Sequence, residues 1–202
     1  MTRPEIPPLP ESRSVDVPAP AGRRSVHLRR IICEGFLRDD GLYDIEGTLI
    51  DTKPDDAQLP HRIAPANQPI HRMMVRLTID TGMVIRDAQA FSLDAPYPDC
   101  YAAPAPYREV IGLRIGPGFT QTIKRLFRGE RGCAHLTELL PPMATTAYQT
   151  LWEKKGDETS PIGTCHGLRV DGEVVRLYFS SAPRARPLAG GEAKAGLPAD
   201  PD

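Results

Sequence analysis

The sequence predicts an α+β fold, an antiparallel sheet of hairpins with helices packed on one face. Three observations carry that reading. Two pairs of alternating segments flank Asp40-Gly41 and Thr81-Gly82, dipeptides suited to hairpin turns. After Asp94 the apolar period lengthens from two to three or four. The two hairpins give four antiparallel strands with one face buried.

The first hairpin pairs SVHLRRIICEGFLRD with YDIEGTLIDTK, the latter alternating through Ile45, Thr48 and Ile50. Pro54 to Pro69 is polar and proline-rich and reads as a long loop, of the kind that often carries function. In the second hairpin HRMMVRLTID alternates Met73, Val75, Leu77 and Ile79 against Met74, Arg76, Thr78 and Asp80, and MVIRDAQAFSLD returns. PYPDCYAAPAPYREVIGLRIGPG is broken into short helical turns by its prolines. GFTQTIKRLFRG sets Phe119, Ile123, Leu126 and Phe127 at helical spacing, with Gly129 as its cap. Leu136, Leu140, Met143, Ala147 and Leu151 repeat that spacing, and Pro141-Pro142 either starts a second helix or kinks one. CHGLRVDGEVVRLYF reads as a last hairpin turning at Asp171-Gly172. The predicted core sets Met73, Val75, Leu77 and Ile79 against Phe119, Ile123, Leu136, Leu140 and Leu151.

The ends have a different composition. Residues 1–24 carry six prolines and few apolar side chains, and the chain from 181 to 202 is again Pro, Ala, Gly and charge. Neither can bury enough apolar surface to offset chain entropy, so 1–24 reads as an arm, 181–202 as a disordered tail and 25–180 as one domain. The 202 residues carry 25 basic and 26 acidic side chains, a net charge of −1, with no polybasic run. That excludes the electrostatic footprint of a nucleic-acid or anionic-membrane binder. No 18-residue apolar stretch occurs and MTRPEIPPLP lacks the apolar centre of a secretory signal, so the expectation is a cytoplasmic protein. Cys33, Cys100, Cys133 and Cys165 form no CxxC pair and are expected as thiols. No P-loop, GxGxxG, GxSxG or HExxH occurs, which disfavours kinase, Rossmann, serine-hydrolase and zincin chemistry.

Four groups of residues could carry chemistry. In RGCAHLTELLPP, His135 and Glu138 stand three apart on one helical face, so the carboxylate could hold one imidazole nitrogen while the other accepts a proton. Cys133 as a small buried residue and His135 as a helix cap is the alternative. His61 in the long loop and His71 after it, joined by Cys100, Cys133 and His135, could form a Cys/His metal site, although no pair has ligand spacing. Asp44 and Glu46 share one strand face, as do Asp51 and Lys53; they suit a cation or acid–base work, and equally a solvated hairpin face. Tyr97, Tyr101 and Tyr107 surround Cys100, suited to an aromatic ligand or to packing helices on the sheet.

Two resemblances add to this. IDTGMVIRDAQAFSLDAPYPDC followed by GCAHLTELLPPMATTAYQTLW looks like the iron–sulfur scaffold fold of the IscU and NifU type, with Gly82, Ile85, Asp87 and Ala88 on the strand return, Cys100 as the middle cysteine and Cys133 with His135 as the final pair. The cysteine that such scaffolds carry before VRLTID is absent, and His61 and His71 lie there instead. CEGFLRDDGLYDIEGTLIDTK, PIHRMMVRLTID and GCAHLTELLPPMATTAYQT resemble an uncharacterised bacterial family, domain of unknown function 2889. That likeness implies bacterial aromatic catabolism, including formaldehyde-releasing lyases acting on lignin-derived dimers.

The expected function is therefore a cofactor-independent lyase that releases formaldehyde from a small phenolic substrate. His135 or His71 would be the base, with Glu138 beside it. Arg30, Lys53, Tyr97, Tyr101 and Cys100 would hold phenolic or carboxylate oxygens, under the 54–69 loop. The alternative is a zinc or Fe–S carrier using Cys100, Cys133 and His135, and a third reading is a binding module without chemistry. A homo-oligomer is compatible with the sequence.

Overall fold

The computed structural model describes residues 21–60, 62–152, 162–163 and 165–179. Most of the expected N-terminal arm, all of the expected tail and His61 lie outside the described residues. Within them the chain is α+β, as expected. A four-stranded antiparallel sheet has the order β1-β2-β5-β6, from strands β1 (Leu28–Leu37), β2 (Tyr43–Thr52), β5 (Pro69–Ile79) and β6 (Ile85–Asp94). A two-stranded piece, β3 (Ala57–Gln58) with β4 (Ile63–Ala64), sits inside the long loop, which is thus more ordered than its composition predicts.

Both hairpin turns form where the sequence puts them. Gly41 takes a φ of 82°, which its lack of a Cβ permits, and Arg38 N–H donates to the Leu42 carbonyl across the turn. In the second hairpin the left-handed residue is Met83 (φ 66°) rather than Gly82. Asp80 fixes that turn: its carboxylate accepts from the Val84 N–H and pairs with Arg86. Strand β5 presents Met73, Val75, Leu77 and Ile79 to the core as predicted, all four buried.

Two α-helices cover that face, α1 (Phe119–Leu126) and α2 (Ala134–Thr150). Phe119, Ile123, Leu136, Leu140 and Leu151 are buried in one cluster with the sheet, as the spacing predicts. Pro141-Pro142 neither starts nor breaks a helix; α2 runs through both. Two glycines let α2 lie close to the sheet. A Cβ at Gly47 would stand 2.6 Å from the Met143 sulfur, and one at Gly35 would strike the Thr150 side chain. Those contacts order the helix along β1. Its C-terminal end lies over Gly35, so its first turn lies over the Arg29–Asp51 end of the first hairpin.

The expected last hairpin is corrected. Its residues form a short 3₁₀ turn at His166–Leu168 and a helix α3 (Glu173–Tyr178). The Asp171-Gly172 dipeptide stands just before that helix, with Gly172 as its N-cap. An N-cap and a hairpin turn call for the same small residues, so the local signal fits both.

Candidate functional site

Parity along β2 makes the site. Ile45, Gly47 and Leu49 face the helices, and Asp51 continues that series inward as a carboxylate with 1% exposure. A buried carboxylate costs several kcal/mol unless charge and hydrogen bonds meet it. Arg29, its partner in the β1–β2 register, supplies both: Nε donates to Oδ1 and Nη2 to Oδ2, each at 2.8 Å. This paired, two-point grip is the strongest geometry available to a guanidinium. The third Arg29 nitrogen reaches Glu138 at 2.5 Å.

Three histidines join the same carboxylate. His27 Nε2 lies 3.2 Å from Oδ1, His71 Nδ1 3.1 Å from Oδ2, and His135 Nε2 3.7 Å from Oδ2. His71 arrives from β5, opposite Asp51 in register, and His135 from the first turn of α2. The two rings stack, with centroids 3.9 Å apart and planes inclined by 28°. Although His71 Nδ1 is close to Asp51, its orientation is not that of a hydrogen bond, which leaves this buried nitrogen without a partner.

Electrostatics set the protonation states. Burial opposes ionisation of Asp51, but Arg29 and the nearby histidines outweigh it and hold the carboxyl below its ordinary value. Burial lowers the His71 imidazole below its usual range, helped by His135 and opposed by Asp51, so His71 is neutral at pH 7. Two cations could not stack at this distance; one neutral ring can. Burial raises the Cys133 thiol, yet contact with His135 and the backbone N–H groups of Leu136 and His135 bring it below its ordinary value. Cys133 Sγ lies 3.8 Å from His135 Nδ1.

Tyr107 fixes the helix end that carries His135. Its buried hydroxyl accepts from the Cys133 N–H at 3.0 Å and lies 2.8 Å from the Cys133 carbonyl and 2.6 Å from Thr137 Oγ1. Its ring stacks on Phe127 at 4.2 Å. An unsatisfied donor at a helix N-terminus is thereby paired, and the first turn is held in register with the sheet.

The expected site residues separate into two groups. His71 and His135, the two alternative bases of the sequence reading, lie against one another. Glu138 does not orient His135; its carboxylate bonds Arg29, and Asp51 is the acid facing the imidazoles. Arg30 pairs in register with Ile50 and lies on the outer face of the sheet, so the neighbouring Arg29 is the arginine of the site. Lys53 donates to the Val26 carbonyl at 3.3 Å and, among the described residues, to no side chain of the site. Tyr97 and Tyr101 are about half exposed, and Cys100 packs on the main core. Asp44 and Glu46 lie on the outer face of the sheet but are mostly covered, bonded to Thr78 and Arg76. Among the described residues the donor atoms close enough to share one ion belong to Asp51, His71 and His135, all within 4.8 Å of one another, and neither Cys100 nor Cys133 is among them.

A groove of about 560 Å³ opens between α1 and α2, lined by Ile123, Lys124, Phe127, Thr137, Glu138 and Pro141 among others. Neither histidine lines it. Glu138 is the link, bordering the groove and bonding Arg29.

The family described as "Protein of unknown function (DUF2889)" matches residues 27–149, well over half of the chain. The chain belongs to that family. The match spans the four-stranded sheet, α1 and α2 up to its penultimate residue, and so takes in every residue of the Asp51 cluster in this DUF2889 chain. No curated protein and no solved structure matches it, and the likeness to IscU- and NifU-type scaffolds gains no support.

Proposed function

We propose that this DUF2889 protein is an enzyme of proton transfer whose centre is His71 and His135 over Asp51, and that it acts as a formaldehyde-releasing lyase on a small phenolic substrate. The observation that carries the acid–base part is the stacked imidazole pair facing a buried carboxylate fixed by Arg29. One ring kept neutral by burial can accept a proton, and the second can share the charge that results. The implied aromatic chemistry comes from the family likeness; the groove between α1 and α2 would seat the ring, with the hydroxymethyl group reaching past Glu138 toward the histidines. Ile123 and Phe127 offer an apolar wall, while Lys124 can meet a phenolate or carboxylate oxygen.

In the proposed reaction the base removes the hydroxyl proton of a –CH2OH group. The oxygen electrons form the C=O of formaldehyde as the C–C bond breaks. The acceptor is the quinone methide that forms when the substrate phenol loses its proton and its benzylic carbon expels a hydroxyl or aryloxy group as water or a phenol; the released pair passes into it, giving an alkene and a phenolate, and a proton returns to that oxygen. The step is redox-neutral and needs no external oxidant. Cytoplasmic catabolism of lignin-derived dimers is the setting that the reading implies.

A second reading rests on the unpartnered His71 Nδ1 and the three donors within 4.8 Å, which suit a divalent ion such as zinc. Arg29 weighs against it, because both Asp51 oxygens already accept from the guanidinium. The test incubates purified protein with a hydroxymethyl-bearing phenolic dimer and measures formaldehyde, alongside metal analysis of the same sample. Formaldehyde from metal-free protein supports the proposal. Stoichiometric metal, with release abolished by chelation, establishes the second reading. Absence of formaldehyde over a panel of such dimers ends the lyase assignment.

A further inference from the structure

The two edges of the sheet are treated differently. On β6 the segment 112–115 covers the start of the strand: the Gly112 N–H donates to the Ile85 carbonyl at 2.8 Å, the Ile85 N–H to the Leu113 carbonyl at 2.9 Å, and the Ile115 N–H to the Met83 carbonyl. Val84 and Arg114 add an isolated bridge. No described strand lies along the free side of β1, which is ten residues long and, among the described strands, pairs with β2 alone. Its pairing with β2 has no bulge, and LRRIICEGFL contains neither proline nor lysine. An edge of this length without those protections is a template for another strand.

The sequence of that edge says which strand. The residues on the face away from the helices are Leu28, Arg30, Ile32, Glu34 and Phe36, by register with Thr52, Ile50, Thr48, Glu46 and Asp44. About Ile32 the series is symmetric in polarity and antisymmetric in charge. Leu28, Ile32 and Phe36 are exposed by 40%, 50% and 43%. Arg29 and Arg76 nearby have acidic partners, whereas Arg30 and Glu34 have none among the described residues.

We propose that β1 pairs antiparallel with β1 of a second copy of this chain, about a two-fold axis at Ile32, joining the sheets into one of eight strands. That register sets Arg30 opposite the partner's Glu34 and Leu28 opposite the partner's Phe36, each twice by symmetry, with Ile32 opposite its own copy on the axis. The two unpaired charges and three exposed apolar side chains are thereby all answered at once. A one-residue slip moves every one of them to the wrong face or neighbour. Because Arg29 belongs to this strand, pairing also secures the backbone that carries the grip on Asp51.

Sedimentation velocity on the full chain, with circular dichroism to confirm folding, tests this. The wild type is expected to be a dimer at micromolar concentration. Arg30→Glu and Glu34→Arg each place like charges opposite one another twice and are expected to weaken dimerisation by roughly tenfold or more. The double variant carrying both changes restores opposite charges with the signs reversed and is expected to dimerise as the wild type does. A monomeric wild type, a dimer indifferent to both single changes, or a double variant that stays as weak as the singles each overturns the proposal. The readout is assembly and does not depend on lyase turnover, so failure here leaves the catalytic reading standing, and the reverse.

Discussion

His71 and His135 stack with ring centroids 3.9 Å apart, and each has a nitrogen within 3.7 Å of the buried Asp51 carboxylate. They are 64 residues apart in sequence, on the second hairpin and on the long helix. Neither has a meaning alone: an isolated histidine on a strand is a surface residue, and one in a first helical turn is a cap. Together over a fixed carboxylate they form a pair that can take up and hold one proton.

Removal of either ring should therefore remove turnover without unfolding the protein. His135→Ala and His71→Ala are each expected to lower the rate by roughly 10²- to 10⁴-fold, the share of a positioned proton-transfer group. Cys133→Ser, which keeps a small polar atom beside His135, should do much less. Equal losses in all three variants, measured on folded protein, would place the thiol in the chemistry and remove the acid–base assignment.

Asp51→Asn leaves Arg29 without its two-point partner and the histidines without their charge. A cost of about 2 kcal/mol in chemical denaturation is expected, less than for a fully buried pair because the Arg29 side chain is one-third exposed. The same variant should lose activity, since the proton taken up by the rings is no longer balanced. A stability change below about 0.5 kcal/mol would mean that the guanidinium and carboxylate do not hold the site together.

Acid should weaken both stability and activity. The folded His71 binds a proton less readily than the ordinary value of 6.5 implies, so as pH falls below that value the unfolded chain takes up the proton first and stability drops. Asp51 acts in the same direction lower down: its contribution is whole above the ordinary value of 3.8 and is lost as pH falls through its depressed folded value. Thermal melting from pH 8 to pH 4 should show a decline beginning near 6.5 that is smaller in His71→Ala. An unchanged decline in that variant assigns it to other groups.

Leu77 lies at the centre of the sheet with no exposure. Leu77→Ala should cost about 2–5 kcal/mol through lost burial and a residual cavity. Urea denaturation decides it, and a cost under about 0.5 kcal/mol would contradict the register of β5.

Gly47 to Ala tests the close approach of α2. The added methyl meets the flexible end of Met143, so a cost of roughly 1–3 kcal/mol is expected rather than collapse. Met143→Ala in the same chain should recover part of it by vacating the space. No recovery would mean that the helix itself, not the thioether, resists the change.

Local pattern determined the hairpins, the inward side of β5 and the apolar face of α2, because period and turn chemistry are properties of neighbouring residues. Leu77 and Ile123 were legible as core partners for that reason. The Asp171-Gly172 segment was not, since turn and N-cap ask for the same residues and only packing chooses between them. Asp51 carried a signal of its own: it falls in phase with Ile45, Gly47 and Leu49, and a carboxylate on the buried parity of a strand needs a partner. Read among Asp44, Glu46 and Lys53 it looked like surface charge. Which arginine answers it depends on a one-residue difference in register that places Arg29 inward and Arg30 outward. That difference, and the landing of the first turn of α2 over the same carboxylate, are decided by Gly35 and Gly47 admitting the helix and by Tyr107 holding its end. The sequence by itself determined the residue types and the faces they share; the tertiary contacts decided that His71, His135 and Arg29 would meet at one buried charge, because only three-dimensional packing can bring together groups that no local spacing relates.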